Sequence, residues 1–339
     1  MIVELLPNAE EESIVEAVSQ YLESALPVSR LHGPDAGAWN ATIRSNIADL
    51  GWYGLGLSDD LGGSGFTAVE EALLFREFGR YLGPIEVLPI VLAAHLSAAA
   101  DCSDLARALI SGKHTVALAF LDYSAAEQPG LRCFGARDAS YLVHVTRDRA
   151  ALFDLRSVSF SPRPCLDKST SAAVTVQLFD PIASIHGSGL FLRAQLTTAA
   201  MLLGVAEAVT AMIVAYAKQR ITFGKAIGSY QAVRHPCAEM ALRCEAARQQ
   251  LFAAAVSLRD LRNDADLQVS SVKLIANQAA RSNVDVNTQL HGGIGITKEH
   301  DGHLFLKRAH LLLPWFGEDR ELLDHIHALS LASASGPKG

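Results

Sequence analysis

The chain has 339 residues, 50% apolar and 19% charged, with 29 Lys and Arg against 36 Asp and Glu for a formal net charge of −7. Such a composition buries a large core and excludes disorder, and the acidic balance without any basic run excludes a phosphate-backbone footprint, so no nucleic-acid partner is expected. Five cysteines (Cys102, Cys133, Cys165, Cys237, Cys244), odd in number and without a CxxC pair, point to reduced cytoplasmic thiols rather than a disulfide framework or a zinc site.

At the start, MIVELLPNAEEES lacks the basic and apolar regions of a secretory signal and reads as a cytosolic beginning. Residues 8–110 predict short helices. Ile14, Val18, Tyr21 and Leu22 stand at helical spacing, a second set runs from Val69 through Leu82, DDLGGSG at 59–65 is a loop, and GP at 83–84 ends a helix. Ser58, Asp59 and Asp60 read as loop and cap, with no nucleophile's partner in sequence. Short β-rich runs follow at 115–123, 140–146, 150–155, 157–162 and 172–178. From Gly189 onward strands are expected to disappear, leaving long helices at 189–219, 228–262 and 265–291 and a pair near 301–312 and 317–330.

The most apolar stretch, 190–216, is interrupted by Arg193, Gln195 and Glu207, so no membrane span is expected; its Met201, Leu202, Leu203, Val205 and Val209 predict bundle core. The fold class expected is mainly α with a middle β domain. It comprises an N-terminal helical domain over 1–112, a reduced β-barrel or sandwich over 113–186, and a C-terminal helical bundle over 187–334.

Glu299, His300, Asp301 and His303 are metal ligands in type, but consecutive residues cannot all face one ion. A solvated helix start, where acidic residues are favoured, is expected there, with no metal. The stretch YAKQRITFGKAIGSYQAVRH (216–235) joins two long helices. Its Gly224 and Gly228 permit a tight turn that gathers Arg220, Phe223 and Gln231, a cation, an aromatic ring and an amide able to hold a nucleotide diphosphate. Spacing alone favours a plainer helix–loop–helix in which Arg220 pairs with a carboxylate and Phe223 plugs a core gap. His235, one turn after Gln231, can touch a phosphate or serve as cap or core.

This bend resembles the R-x-x-F-G…Q motif of the acyl-CoA dehydrogenase family. LGWYGLGLSDDLGGSGFTAVEEALLFREFGRYLGP (50–84) is similar to the family's N-terminal helical segment, and QLHGGIGITKEH (289–300) to its Q-x-x-G-G-x-G motif, all in family order. The resemblance implies a flavoprotein fold with a C-terminal four-helix bundle, in which the motif reaches across a dimer interface to the adenosine diphosphate half of the neighbour's FAD. By motif, the cofactor-binding residues are then Arg220, Thr222, Phe223 and Gln231, completed by Gln289, Gly292 and Gly293.

The chain departs from the family where chemistry is done. A glutamate base is expected in KRAHLLLPWFGEDRE (307–321), where Ala309, Trp315 and Gly317 match the family's anchors and place Phe316 at the base position. The family's alternative base position, about 26 residues before the flavin arginine, is Ala194. Glu318 is the fallback, although helical geometry would turn it about 200° away from Phe316. The middle block carries neither the family's T-E-P-x-A-G-S-D loop, 116–130 reading VALAFLDYSAAEQPG, nor any of the three tryptophans, Trp39, Trp52 and Trp315.

The resemblance therefore implies a non-catalytic subunit that shares FAD with a longer homologous acyl-CoA dehydrogenase chain in an α2β2 assembly. The partner would hold the acyl-CoA, of the steroid or bile-acid side-chain class, and the electrons would pass to an unidentified acceptor. The alternatives are a self-sufficient homo-oligomeric enzyme using Glu318 and a flavin-free scaffold.

Overall fold

The structure, a computed structural model, describes residues 8–33, 39–122, 130–156, 158–176 and 180–334. Its first helices are α1 (Ala9–Ala25), α2 (Ala41–Asp49), α3 (Ala68–Arg80), α4 (Val87–Ala99) and α5 (Ser103–Ile110). Then come strands β1 (Val116–Asp122), β2 (Gly130–Phe134), β3 (Tyr141–Val145), β4 (Arg149–Asp154), β5 (Ser161–Arg163), β6 (Ala172–Thr175) and β7 (Ala183–His186). Beyond them lie α6 (Gly189–Gln219), β8 (Ile221–Thr222), β9 (Lys225–Ala226), α7 (Gln231–Arg259), α8 (Ala265–His291), α9 (Gly302–Leu312) and α10 (Asp319–Ala334).

Helical ends around a central sheet are the expected class, and α6 and α8 have the predicted limits. The short elements differ. Periodicity passes over β2, which opens on a glycine and carries Arg132, and over the four-residue β7. The run predicted at 157–162 pairs only over β5, and past Gly189 the two-residue strands β8 and β9 form a further ladder. Gly228 and Ser229 belong to a 3-10 turn, which delays α7 to Gln231. Tyr123, Ser157 and residues 177–178 of the predicted strands, and 123–129 of the middle-block departure, lie outside the described residues.

The chain divides into two compact units. In the unit formed by Asp35–Glu71 and Pro84–Ala194, one sheet runs β5-β6-β2-β1-β3-β4-β7, with β1 parallel to β3 and the other pairs antiparallel. Val116, Ala117, Leu118 and Ala119 are buried on both faces of β1, which is why this strand reads as a continuous apolar run. The nearly fully buried α4 packs beside it, and Ala117, Ala119, Leu131, Cys133, Leu142 and Phe153 join one core cluster.

Glu71 is 1% exposed in this unit, ion-paired with Arg193 and hydrogen-bonded to His95 Nε2 at 2.7 Å. Burial alone would raise its carboxyl, but Arg193 and His95 outweigh burial and hold it at about 2. Burial pushes His95 down by more than Glu71 lifts it.

The other unit, Met1–Pro34, Ala72–Gly83 and Gln195–Gly339, is helical. A capping box starts α1: Asn8 Oδ1 accepts the amides of Glu10 and Glu11, and Glu11 accepts the amide of Asn8 at 2.7 Å. Where α3 crosses α6 the two backbones touch, since a Cβ on Gly79 would collide with the Met201 carbonyl and one on Gly204 with the Arg76 carbonyl. Arg76 and Arg248 clamp the crossing by pairing with Glu207 at 2.8 and 2.7 Å.

Met201, Leu202, Leu203, Val205 and Val209 are buried as bundle core. Length and composition alone would let α6 cross a membrane, because one 18-residue window reaches a mean hydropathy of 1.9 in spite of the polar interruptions, but 67% of that window is buried inside the protein. That burial fits a core helix better than a span.

Candidate cofactor-binding site

The bend after α6 is a β-hairpin. Thr222 and Lys225 flank Phe223 (φ +50°) and Gly224 (φ +78°), so both central residues are left-handed, as a two-residue type I′ turn requires. Glycine accepts that geometry freely; phenylalanine adopts it against steric cost. Ile227 N–H donates to the Arg220 carbonyl at 2.8 Å, Tyr230 Oη donates to the Thr222 carbonyl at 3.0 Å, and Lys225 Nζ lies 4.4 Å over the Tyr230 ring. Gly228 is needed for close approach, because a Cβ there would stand 3.0 Å from the Ala217 carbonyl.

Neither element of the plainer reading survives. Phe223 is 92% exposed, so it plugs no core gap, and no carboxylate among the described residues pairs with the exposed Arg220. Gln231 opens α7 and is exposed, as is His235, which therefore is no core residue.

The second motif lies at the end of α8. Gln289 is exposed, and the left-handed Gly292 (φ +67°) begins a 3-10 turn to Ile296. A Cβ on Gly292 or Gly293 would meet nothing within 4 Å, and Gly293 has an ordinary φ. Nothing within the chain therefore demands glycine at 293. The rings of Tyr216 on α6 and His291 on α8 are 4.4 Å apart, which brings the two motifs to one end of the bundle.

The cluster at 299–303 is not a simple solvated helix start. The His300 ring lies 4.3 Å from His291, and Asp301 pairs with His32 at 2.6 Å instead of capping α9. No group of three or more His, Cys, Asp or Glu among the described residues could hold a metal ion. Ser58 precedes a 3-10 turn and makes no side-chain cap.

Phe316 is buried in a left-handed conformation (φ +56°) on a turn after α9. The periodicity argument about Glu318 fails, because α9 ends at Leu312 and residues 316–318 are not helical. Glu318 nevertheless stays outside: it is exposed and lines an open groove of about 410 Å³ with Arg281, His310, Asp319 and Arg320. Ala194 is fully buried.

Periodicity gives no hint of what holds the Phe316 turn. Lys273, fully buried on α8, donates to Asn277 Oδ1 at 2.6 Å, the Leu313 carbonyl at 3.0 Å and the Gly317 carbonyl at 3.2 Å. Asn277 Nδ2 donates to Asp319, which also pairs with Arg281 at 2.5 Å. Burial brings the Lys273 ammonium down to about 7, Asp319 offsetting only part of the effect. The available signal was a lysine in register with the apolar Val269, Val272, Ala276 and Ala280 of α8.

Residues 8–102 match the family profile of the acyl-CoA dehydrogenase N-terminal domain and residues 188–330 that of its C-terminal domain, flanking 103–187. The chain is 31% identical over 319 residues to acyl-CoA dehydrogenase FadE34 of Mycobacterium tuberculosis, a match covering 88% of this chain but 43% of that protein, so the chain spans less than half of this relative. It is 29% identical over 321 residues to acyl-CoA dehydrogenase IpdE2 of the same organism, covering 94% of this chain and 95% of IpdE2. Among solved structures, the G363A variant of the Tcur3481–Tcur3483 steroid ACAD matches with a TM-score of 0.84 at 21% identity, over 96% of this chain and 99% of that one; the likeness is one of fold.

Proposed function

Because the chain belongs to the acyl-CoA dehydrogenase family, we propose that it is the non-catalytic, FAD-clamping subunit of a hetero-oligomeric acyl-CoA dehydrogenase. Enzymes of this family depend on FAD, which when bound accepts the β-hydrogen of the acyl chain as hydride. In this chain Arg220 would take the pyrophosphate, the exposed face of Phe223 the adenine, and the backbone at Gly292 and Gly293 the phosphate oxygens. Thr222, Gln231 and Gln289 would add hydroxyl and amide contacts. The residues fit such a group: the guanidinium has no carboxylate partner among the described residues, and open space stands where a Cβ would be at either glycine.

The observation that carries the reading is the contrast between this outward-facing hairpin and the buried Phe316 at the family's base position. A phenyl ring cannot take the α-proton, and Ala194 cannot either. The glutamate base, the flavin-ring contacts and the acyl-CoA pocket would come from a longer homologous partner, two copies of each chain forming the assembly and an external acceptor taking the electrons. The steroid ACAD, whose name couples Tcur3481 with Tcur3483, supports the two-chain assembly and a steroid as the class of substrate, for which a side-chain CoA thioester is our reading.

Co-expression with a longer acyl-CoA dehydrogenase from the same source tests the proposal. About one FAD per heterodimer, with the lone chain colourless or aggregated, is expected. A soluble yellow homo-oligomer with one flavin per chain overturns it in favour of a self-sufficient enzyme.

A further inference from the structure

We propose, resting on the flavin-clamp reading for its functional consequence, that Tyr216, His291 and His300 are positioning residues that pack into a column setting the Gly292–Gly293 turn against the Arg220 hairpin, and that His300 releases the turn when it takes a proton. The column crosses three segments. Tyr216 stands one helical turn before Arg220, and its ring is 4.4 Å from that of His291, the residue immediately before Gly292. The His300 ring follows at 4.3 Å, from the far side of the glycine turn. The turn is thus flanked at both ends by rings that pack on each other, tilted by 32° between Tyr216 and His291 and by 52° between His291 and His300.

Hydrogen bonds fix the proton on each imidazole. His291 Nδ1 faces the Asn287 carbonyl at 2.8 Å, and since a carbonyl only accepts, Nδ1 carries hydrogen. His300 Nδ1 has the opposite role. It accepts the Gly302 N–H at 3.0 Å, satisfying a backbone donor at the first residue of α9. The fit is tight enough to require glycine, because a Cβ on the buried Gly302 would stand 2.9 Å from that nitrogen.

An imidazolium has no acceptor nitrogen, so protonating His300 breaks this bond and places a cation at a helix N-terminus, the end that disfavours positive charge. The titratable groups acting on His300 are His291 from α8, which also carries the Tyr216 ring, Asp301 and His303 from the start of α9, and His32 from the 3-10 turn Val28–His32. Burial and His291 push its proton affinity down, while Asp301 works the other way and is already engaged by His32 at 2.6 Å. The His303 ring is engaged on both sides, Nε2 against the Lys298 carbonyl at 3.2 Å and Nδ1 against Lys307 Nζ at 3.4 Å.

The test is amide hydrogen exchange on the full chain in its partner complex, corrected for intrinsic rates, at pH 7.5 and 5.5, with ADP affinity measured in parallel. In the wild type, protection of the amides in 293–296 and 302–304 is expected to fall severalfold at pH 5.5, toward the roughly tenfold ceiling for one histidine that titrates near 6.5 in the open turn. His300→Asn, whose Oδ1 still accepts but does not titrate, is expected to hold its protection at both values. His300→Ser serves the same purpose if the Asn variant does not fold. Tyr216→Leu is expected to leave the turn weakly protected throughout. A wild type with no pH response, or a variant at position 300 that responds like the wild type, overturns the proposal. A severalfold weakening of ADP binding at pH 5.5 that vanishes in His300→Asn supports the brace and the clamp together. An exchange response with ADP affinity unmoved supports the brace and overturns the clamp reading for this turn.

Discussion

Gln195 donates its Nε2–H to the carbonyl of Phe316 over 2.6 Å, joining α6 to a turn 121 residues further along the chain. Its Oε1 accepts in turn from Ser270 at 3.3 Å, so the amide is used at both ends. With the same turn also tied by Lys273 to the Leu313 and Gly317 carbonyls, Phe316 is held buried and Glu318 is left in its outer groove. Bringing Glu318 to the base position would break these buried bonds, each worth about 1–3 kcal/mol once a polar group is left unsatisfied. Glu318→Gln in the assembled enzyme is therefore expected to keep turnover within a few-fold of wild type, against the roughly 10²- to 10⁴-fold contributed by a true general base. Steady-state kinetics with the flavin content checked decides the matter.

Lys273 gives the protein a stability signature in alkaline solution. Burial lowers its ammonium from 10.5 to about 7 in the folded chain, so between those values the unfolded chain binds more protons and stability rises with pH. The rise is at most about 1.4 kcal/mol per pH unit. Below pH 7 both states are charged and the burial cost is constant. Urea denaturation from pH 6 to 10 should show this slope in the wild type and lose it in Lys273→Met.

Glu71 acts with the opposite sign. Its carboxyl is depressed from 4.5 to about 2, so the stability it contributes is complete above pH 4.5 and is lost as the pH falls toward 2. Glu71→Gln leaves the Arg193 charge without its partner and is expected to cost about 3–5 kcal/mol at pH 7. In acid denaturation the variant should approach the wild type as the pH drops. A variant as stable as the wild type at neutral pH would refute the assignment.

Phe223 and Arg220 separate folding from cofactor binding. Phe223 is 92% exposed with φ +50°, so Phe223→Asn removes no core packing and places a residue tolerant of left-handed backbone at the turn. A gain of about 0.5–1 kcal/mol in stability is expected, alongside weaker FAD binding. Arg220→Ala should weaken FAD by about one to two decades, and Arg220→Lys by less, because lysine cannot grip a pyrophosphate bidentately. Thermal unfolding and flavin titration of the complex read the two effects independently. Flavin affinity unchanged in Arg220→Ala would defeat the clamp.

Much of this was legible in the sequence because long helices carry a repeating signal. The ends of α6 and α8 followed from periodicity, and the cofactor candidates from motif resemblance. The hairpin at 221–226 was not legible, since two-residue strands have no period and a phenylalanine argues against positive φ. Lys273 stood out only as a cation on an apolar face; two of its partners are backbone carbonyls 40 and 44 residues away, which no side-chain pattern encodes. The Glu318 argument failed for a similar reason. It assumed a helix where Phe316 and Gly317 turn the chain through left-handed backbone.

Arg76 and Glu207, the ion pair beside the Gly79–Gly204 crossing, stand 131 residues apart in the chain. A ribosome adding about 5–20 residues per second makes the glycine face of α3 wait on the order of ten seconds for α6 to exist. Phe75 and Phe78, at most 1% exposed in the finished protein, emerge during that interval on a helix whose counterpart has not been synthesised. Helix α3 is thus made early and packed late, and a nascent chain arrested before Gly204 offers its apolar face to chaperones instead.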